Sequence, residues 1–230
     1  MALPVIETLT HTLTIPSTGE EISFRPFLVK EEKLLMQAQE TSDTKTMISN
    51  IKSIVNACTF DKLNFSTLTS YDFEYVFLQL RSKSIGESVD LNIQCEECEA
   101  KNKVTVNLDS IEVKFPEEKV DNTIALNDKV FLELQPLRLK DFEQLNENNI
   151  TTSIVPFIAS IYDDENVWKA EDQSKKDLEN FVDNLSHHNL EQIQEFIENQ
   201  PKLSHEVTFK CSNCGHVNKI TLEGLNNFFT

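Results

Sequence analysis

The chain has 230 residues and a formal net charge of −17, with 38 Asp+Glu against 21 Lys+Arg. This surplus of negative charge repels phosphate backbones and anionic membrane surfaces, so the composition argues against nucleic acid and membranes as partners. Hydrophobic residues make up 39% of the chain, yet no apolar run approaches the ~20 residues of a spanning helix. The composition therefore predicts a soluble globular protein that forms one folded unit.

Residues 1–86 predict a β-hairpin followed by three helices. Apolar and polar residues alternate over 9–15, although His11 interrupts the apolar face, and a turn at Gly19 leads into a second alternating stretch. Good helix formers follow Pro26, and apolar residues at helical spacing then predict two more helices, capped near Ser42 or Asp43 and near Ser70. The three helices are expected to pack against the hairpin, with the basic residues Arg25, Lys30 and Lys33 solvated or, alternatively, marking a contact surface.

The rest of the chain divides into a first cysteine-bearing hairpin over 87–110, a second hairpin over 111–136, a helical region over 137–203, and a second cysteine-bearing hairpin with a tail over 204–230. Helices are predicted near 140–146, 153–162, 174–185 and 189–198. Acidic residues over 162–172 predict an exposed connector anchored by Trp168.

Four of the five cysteines form two Cys-x-x-Cys pairs, Cys95 with Cys98 and Cys211 with Cys214. The N-terminal residues have neither the basic region nor the apolar run of a secretory signal, which predicts a reducing cytoplasm. In that compartment such pairs favour a metal site over disulfides. The fifth cysteine, Cys58, lies in an apolar stretch and is expected to be a small buried hydrophobic residue.

The two pairs lie in repeated sequence. Residues 94–106 align without a gap with residues 210–222, and both follow C-x-x-C-x-x-x-N-K-aliphatic-T-aliphatic. Alternating residues around each pair place it at the tip of a hairpin, so that two such knuckles offer four thiolates in the tetrahedral arrangement that Zn²⁺ prefers. The predicted fold is therefore α+β: an N-terminal hairpin with helices, a discontinuous four-cysteine zinc ribbon, and C-terminal helices.

The zinc is expected to be structural rather than catalytic, because cysteine fills all four ligand positions and leaves none for water or substrate. It would join the middle of the chain to its C-terminal end across 112 intervening residues, which couples metal binding to folding. Redox-active dithiols, disulfides and an iron–sulfur site remain alternatives. Gly215 suits the left-handed backbone that commonly follows a knuckle, whereas Glu99 at the matching position does not, which could loosen the first knuckle.

No pattern in the chain indicates an enzyme. Four glycines are too few and too scattered for a phosphate-binding loop, and there is no nucleophile elbow or HExxH motif. Neighbouring His187 and His188 are expected to be solvated. Phe228 and Phe229 would either complete the core or contact another protein. We therefore expect no catalytic and no cofactor-binding residues apart from the four zinc ligands.

One stretch resembles a known family. The segment 24–33, FRPFLVKEEK, together with 17–19, with 75–87 and with the two knuckles, is similar to the baseplate hub subunit and hub-assembly family of T-even-like contractile-tailed bacteriophages. The resemblance implies a non-enzymatic protein that helps to build the central hub of the baseplate, with other hub proteins as partners. It implies a location in the host cytoplasm during assembly or in the virion baseplate.

Several functional alternatives stay open on the sequence. The acidic surface slightly favours an assembly chaperone over a permanent hub subunit, because charged residues are depleted in the cores of stable interfaces. A tail-associated hydrolase with a structural zinc is the less favoured alternative. A homo-oligomer is compatible with the sequence.

Overall fold

The computed structural model describes residues 8–40, 44–117, 121–144 and 149–224, which contain six α-helices and eleven β-strands. This confirms that the fold mixes helices with small sheets. Contacts divide the chain into a first unit, Met1–Asn64 with Tyr71–Lys114 and Lys202–Thr230, and a second unit, Phe65–Ser70 with Phe115–Pro201. The predicted domain boundaries, and the prediction that the chain forms one folded unit, stay predictions.

The first unit contains both knuckles. Its helices and strands are β1 (His11–Thr14), β2 (Glu21–Phe24), α1 (Val29–Glu40), α2 (Thr44–Cys58), α3 (Ser70–Ile85), β3 (Ser88–Gln94), β4 (Lys101–Asn107), β5 (Glu112–Lys114), β10 (Lys202–Lys210) and β11 (Val217–Glu223). Strands β1 and β2 form the predicted N-terminal hairpin, β3 pairs with β4, and β10 lies between β11 and β5. The chain thus returns after the second unit to complete a sheet that begins before it.

The FRPFLVKEEK stretch builds a buried ion pair. Arg25 is only 8% exposed, and its guanidinium donates to Glu31 Oε1 at 2.8 Å and to the thiol of Cys58 at 3.7 Å. Glu31 Oε2 accepts from the backbone N–H of Leu28 and so fixes the start of α1. The expectation that Arg25 is solvated or part of a contact surface is therefore wrong, whereas Lys30 is exposed. Cys58 is fully buried, as predicted.

The second unit is a four-stranded antiparallel sheet covered by helices. Its elements are β6 (Thr123–Ala125), β7 (Phe131–Leu134), α4 (Ile150–Ile154), β8 (Ile158–Tyr162), β9 (Val167–Lys169), α5 (Lys175–Asp183) and α6 (His187–Glu198), with the strands in the order β6-β7-β8-β9. Leu132, Ile158 and Ile193 are buried in its core. Ser174 caps α5, and Ser186 with Asn189 forms a capping box at α6.

Two expectations for this unit are wrong. The stretch predicted as one helix over 153–162 is instead the end of α4, a short 3-10 turn through Pro156, and strand β8. Proline lacks the N–H that would continue a helix, and the apolar run after it is a buried strand that pairs with β7. Trp168 lies on β9 and is 41% exposed, so it does not anchor the acidic segment.

The structure describes only some of the residues to which the remaining predictions apply. The hairpin predicted around 122–134 corresponds to β6 and β7, and residues 139–144 form a 3-10 helix. The predicted caps at Ser42 and Asp43 and the predicted roles of Phe228 and Phe229 lie outside the described residues. Within the described ranges, every helix is too short or too polar to cross a lipid bilayer.

Candidate metal centre

The two knuckles are structural repeats. Seven residue pairs join β3 to β4, from Ser88↔Asn107 to Gln94↔Lys101. Each pair recurs between β10 and β11 when 116 is added to both residue numbers. The pair Ser88↔Asn107, for example, corresponds to Ser204↔Glu223. The repeat seen in the cysteine motif therefore extends over the whole of both hairpins.

The apolar faces of the two hairpins share one core. Leu91 on β3 and Val207, its equivalent on β10, are both buried, as are Val106 and Leu222. These four side chains belong to a cluster that also contains Leu78 of α3. The two hairpins and helix α3 therefore share one apolar cluster, and the two knuckle tips lie at the same end of the unit.

Both tips have the same backbone hydrogen bonds. In the first knuckle the N–H of Cys95 donates to the carbonyl of Ala100, and the N–H of Glu99 donates to the carbonyl of Cys95, at 3.0 and 2.9 Å. The equivalent bonds in the second knuckle, from Cys211 and Gly215, measure 2.8 and 3.0 Å. Glu99 has φ 57° and Gly215 has φ 76°. Glu99 therefore adopts the left-handed conformation that Gly215 adopts more readily, at a cost of about 1 kcal/mol.

The four sulfurs are brought together across the knuckles. All four lie within 4.8 Å of one another, with Cys95 Sγ 3.7 Å from Cys214 Sγ and Cys98 Sγ 3.6 Å from Cys211 Sγ. A tetrahedron of sulfurs around Zn²⁺ at ~2.3 Å has S···S edges of ~3.8 Å. The donor set and its spacing therefore fit a four-coordinate metal, and all four thiols are free of disulfides in the structure.

Two buried asparagines tie each knuckle to the other. Asn102 of the first knuckle accepts at Oδ1 from the backbone N–H of Ser212 in the second, at 2.9 Å. Asn218 of the second knuckle accepts at Oδ1 from the N–H of Glu96 in the first, also at 2.9 Å. The bonds are reciprocal because the two asparagines are equivalent residues of the repeat. Asn102 is 6% exposed and Asn218 is completely buried.

The amide groups of the same asparagines also face the sulfurs. Nδ2 of Asn102 donates to Cys211 Sγ and Nδ2 of Asn218 donates to Cys95 Sγ, each at 3.5 Å. These two residues had no predicted role, although the Asn four positions after each second cysteine is part of the repeated motif. Such donors orient metal ligands and reduce the negative charge on thiolates, so they form the outer shell of the site.

Hydrogen bonds contribute to different pKa values for the thiols of Cys95, Cys211 and Cys214. The backbone N–H of Cys214 lowers the pKa of Cys211 to about 6. Burial alone would raise the pKa of Cys95, but backbone N–H groups, first that of Cys98, lower it. The N–H of His216 also favours the thiolate of Cys214, yet partial desolvation of its sulfur and the other three cysteines raise the pKa of that thiol to about 12. Four adjacent thiolates repel one another, so full ionisation requires a cation among them.

Access to the site differs between its ligands. Cys95 and Cys211, the first cysteine of each pair, are 1% and 3% exposed, while Cys98 is partly exposed and Cys214 is exposed. Two lysines at equivalent positions of the repeat form ion pairs with strand residues: Lys103 with Asp90 at 2.8 Å, and Lys219 with the equivalent residue Glu206 at 2.9 Å.

The other sequence candidates lie outside this cluster. His187 and His188 have 87% and 77% of their side chains exposed, and each lies near Glu191, at 3.5 and 3.9 Å. In the described ranges, no second group of three or more His, Cys, Asp or Glu side chains has the spacing of a metal site. The four cysteines predicted from the sequence are thus the candidate metal centre.

Comparisons with known proteins agree with the resemblance found in the sequence. A family described as T4 bacteriophage base plate protein matches residues 8–230. Baseplate hub assembly protein gp26 of Enterobacteria phage T4 is 24% identical over 208 residues, which cover 90% of this chain and 92% of that protein. No solved structure matches the chain. The predicted baseplate hub-assembly resemblance is confirmed, and the chain belongs to the T4 bacteriophage base plate protein family.

Proposed function

We propose that this protein helps to assemble the central hub of a phage baseplate through contacts with other hub proteins, without a catalytic role. The observation that carries the proposal is the family match over residues 8–230, which includes both structural units. It is supported by the similarity to a hub assembly protein along 92% of that protein's length. The protein would act in the host cytoplasm while the baseplate forms.

The four cysteines would hold a structural Zn²⁺. The support is geometric and chemical: four soft ligands with S···S separations near those of a tetrahedral site, no fifth donor among the described residues, and two of the four sulfurs buried. Zinc would contribute no reaction; when bound, it would neutralise the thiolates and fix the two knuckles together. Cys95, Cys98, Cys211 and Cys214 would be its ligands, with Asn102 and Asn218 holding the knuckles in register.

A zinc ion that joins the two knuckles, here called the metal clip, suits a protein whose first unit is assembled from distant parts of the chain. Strand β10 pairs with β5, although residues 115–201 of the second unit separate the two strands in the chain. A metal that connects β3–β4 to β10–β11 would hold this pairing in place while other proteins bind. This contribution is to stability and not to specificity, and hub partners are expected to contact other surfaces.

The proposal is tested in the phage that encodes the protein. A null allele should yield tails or baseplate intermediates that lack the central hub in electron micrographs, and plasmid-borne wild-type protein should restore them. Normal hubs in the null background would overturn the proposed function. Mass spectrometry that compares the amount of the protein in purified particles with that in the infected-cell lysate then distinguishes an assembly chaperone from a hub subunit. An assembly chaperone is abundant in the lysate and absent from particles, whereas a hub subunit has a fixed copy number per particle.

A further inference from the structure

The second unit contains a cavity of about 510 Å³ between its sheet and helix α5. Strands β8 and β9 line it together with the first turn of α5, and Ile158 and Leu178 supply part of its apolar lining. This volume lies within the range of ~300–1,000 Å³ that is usual for ligand sites. The four cysteines are in the first unit and take no part in it.

Positive charge is concentrated around this cavity. Residues 115–201 contain 19 Asp+Glu and only 7 Lys+Arg. Four of those seven basic residues line the cavity: Arg138, Lys140, Lys169 and Lys175. Three carboxylates also line it, those of Glu133, Asp141 and Glu171, and Glu133 accepts from the hydroxyl of Ser160 at 2.7 Å. Basic groups thus outnumber acidic ones here, in a unit where acidic groups prevail almost threefold.

Strand β9 forms one rim of the cavity and is an edge of its sheet. It pairs only with β8 among the described strands. The turn before it is closed by a bond from the N–H of Asp163 to the carbonyl of Asn166. In an antiparallel pair, hydrogen-bonded and non-hydrogen-bonded positions alternate. The backbone of Trp168 therefore faces β8, while the N–H groups of Val167 and Lys169 face outward.

The side chains of β9 complete this arrangement. Val167 and Lys169 both line the cavity, so they share one face of the strand, and Trp168 is on the other face. Val167 is 66% exposed and Trp168 is 41% exposed. The edge therefore combines outward-facing backbone donors, a basic cavity on one face and an exposed tryptophan on the other, and tryptophan is among the residue types most enriched at binding hot spots.

We propose that β9 binds an extended acidic segment of a partner protein as an added strand, with its carboxylates in the basic cavity. This rests on the proposed function and names the chemistry of one of its contacts. Side chains of an added strand alternate between the two faces, so the segment would carry Asp or Glu at every second position over the cavity. The intervening residues would be apolar and would pack on the face that carries Trp168.

The test uses the full-length protein and the peptide acetyl-Val-Glu-Val-Glu-Val-Glu-amide. Trp168 is the single tryptophan of the chain, so its fluorescence reports binding at β9 directly. The peptide should change the emission of Trp168 saturably, and a peptide with Lys in place of Glu should not. Lys175→Glu should weaken binding about fivefold or more, since it reverses a charge at the cavity.

The matched control is Lys176→Glu, which changes the net charge equally one residue away, at an exposed position that does not line the cavity. Equal binding by the two variants would overturn the basic-cavity part of the proposal. Unchanged binding of a peptide in which the amides that would face β9 are N-methylated would overturn the added strand. Citrate competing as well as the peptide would show a site for small anions and would overturn the proposal of a protein partner.

The same pair of substitutions separates this proposal from the proposed function. If the null allele blocks hub assembly but Lys175→Glu supports wild-type particle yield, the docking site is wrong and the assembly role stands. If the null allele assembles normal hubs, the assembly role fails whatever the peptide does. Loss of particle yield with Lys175→Glu but not with Lys176→Glu is the result that the proposal expects.

Discussion

Removing two ligands should destabilise the protein by the free energy with which the folded chain binds the metal. The perturbation is the double substitution Cys211→Ser and Cys214→Ser, which removes one complete knuckle from the cluster of sulfurs. The two knuckles are separated by 112 residues. Because the unfolded chain does not hold four sulfurs together, zinc binds the folded protein, and at roughly 5,000 times its Kd it would stabilise the fold by about 5 kcal/mol at 25 °C. The free energy of unfolding should fall by about this much, provided that zinc binds as proposed.

The fold should survive at low temperature, because Leu91, Val106, Val207 and Leu222 still pack in their shared core. For a chain of this size, about 5 kcal/mol corresponds to a fall in Tm of roughly 10–20 °C. Circular dichroism melts measure this fall, and a chelator provides an internal control. It should lower the Tm of the wild type towards that of the variant and leave the variant itself unchanged. Cys58→Ala, which removes the cysteine outside the cluster, should keep the metal.

A double variant that melts within about a degree of the wild type would refute the metal clip, since a structural metal cannot be removed without a cost of this order. A chelator that lowers the Tm of both proteins equally would refute it as well, because the variant has lost the ligands through which the chelator is expected to act.

Three further predictions concern buried or half-buried polar groups. Asn218→Ala should lower the free energy of unfolding by about 2 kcal/mol, because it leaves the N–H of Glu96 without its acceptor; urea unfolding measures this. Glu31→Gln should lower it by about 3 kcal/mol, because the buried Arg25 loses its charged partner. Burial raises the pKa of Glu74 to about 7. This carboxyl therefore favours folding below its ordinary pKa and loses that contribution as the pH rises through about 7, so Glu74→Gln should stabilise the protein more at pH 8 than at pH 5.

Each of these has a matched control on the surface. Asn92→Ala on β3, Glu32→Gln on α1 and Glu20→Gln in the first hairpin change the same residue types at exposed positions. They should alter the free energy of unfolding by no more than about 0.5 kcal/mol. Equal effects in a variant and its control would contradict the role given to that buried group, and a pH-independent effect of Glu74→Gln would contradict the role of its ionisation.

The candidate site was the most predictable part of the molecule. The cysteine pairs and the alternation around them identified both hairpins and their tips, because each signal is local and each repeats. The role of Asn102 and Asn218 was not predictable, since each asparagine bonds to the other hairpin, 110 or more residues away. A repeated polar residue in a metal knuckle is nevertheless a signal that can be searched for in other sequences.

The wrong predictions for β8, Arg25 and Trp168 have physical causes that a single sequence does not reveal. The apolar run that forms β8 has the composition of either a buried strand or a buried helix, and only its pairing with β7 decides between them. Arg25 is buried because Glu31 reaches it from the next element, a pairing across a change from strand to helix that periodicity does not reveal. Trp168 is exposed because β9 is an edge, which depends on the order of strands in the sheet.

The proposed zinc site requires that four cysteines from two distant hairpins hold one zinc ion. Native mass spectrometry of the protein purified without added metal tests it most directly, together with elemental analysis. One zinc per chain is expected in the wild type and in Cys58→Ala, and none in the variant that lacks Cys211 and Cys214. A wild-type protein free of metal, or a variant that retains its metal after both cysteines are removed, would rule out the zinc site.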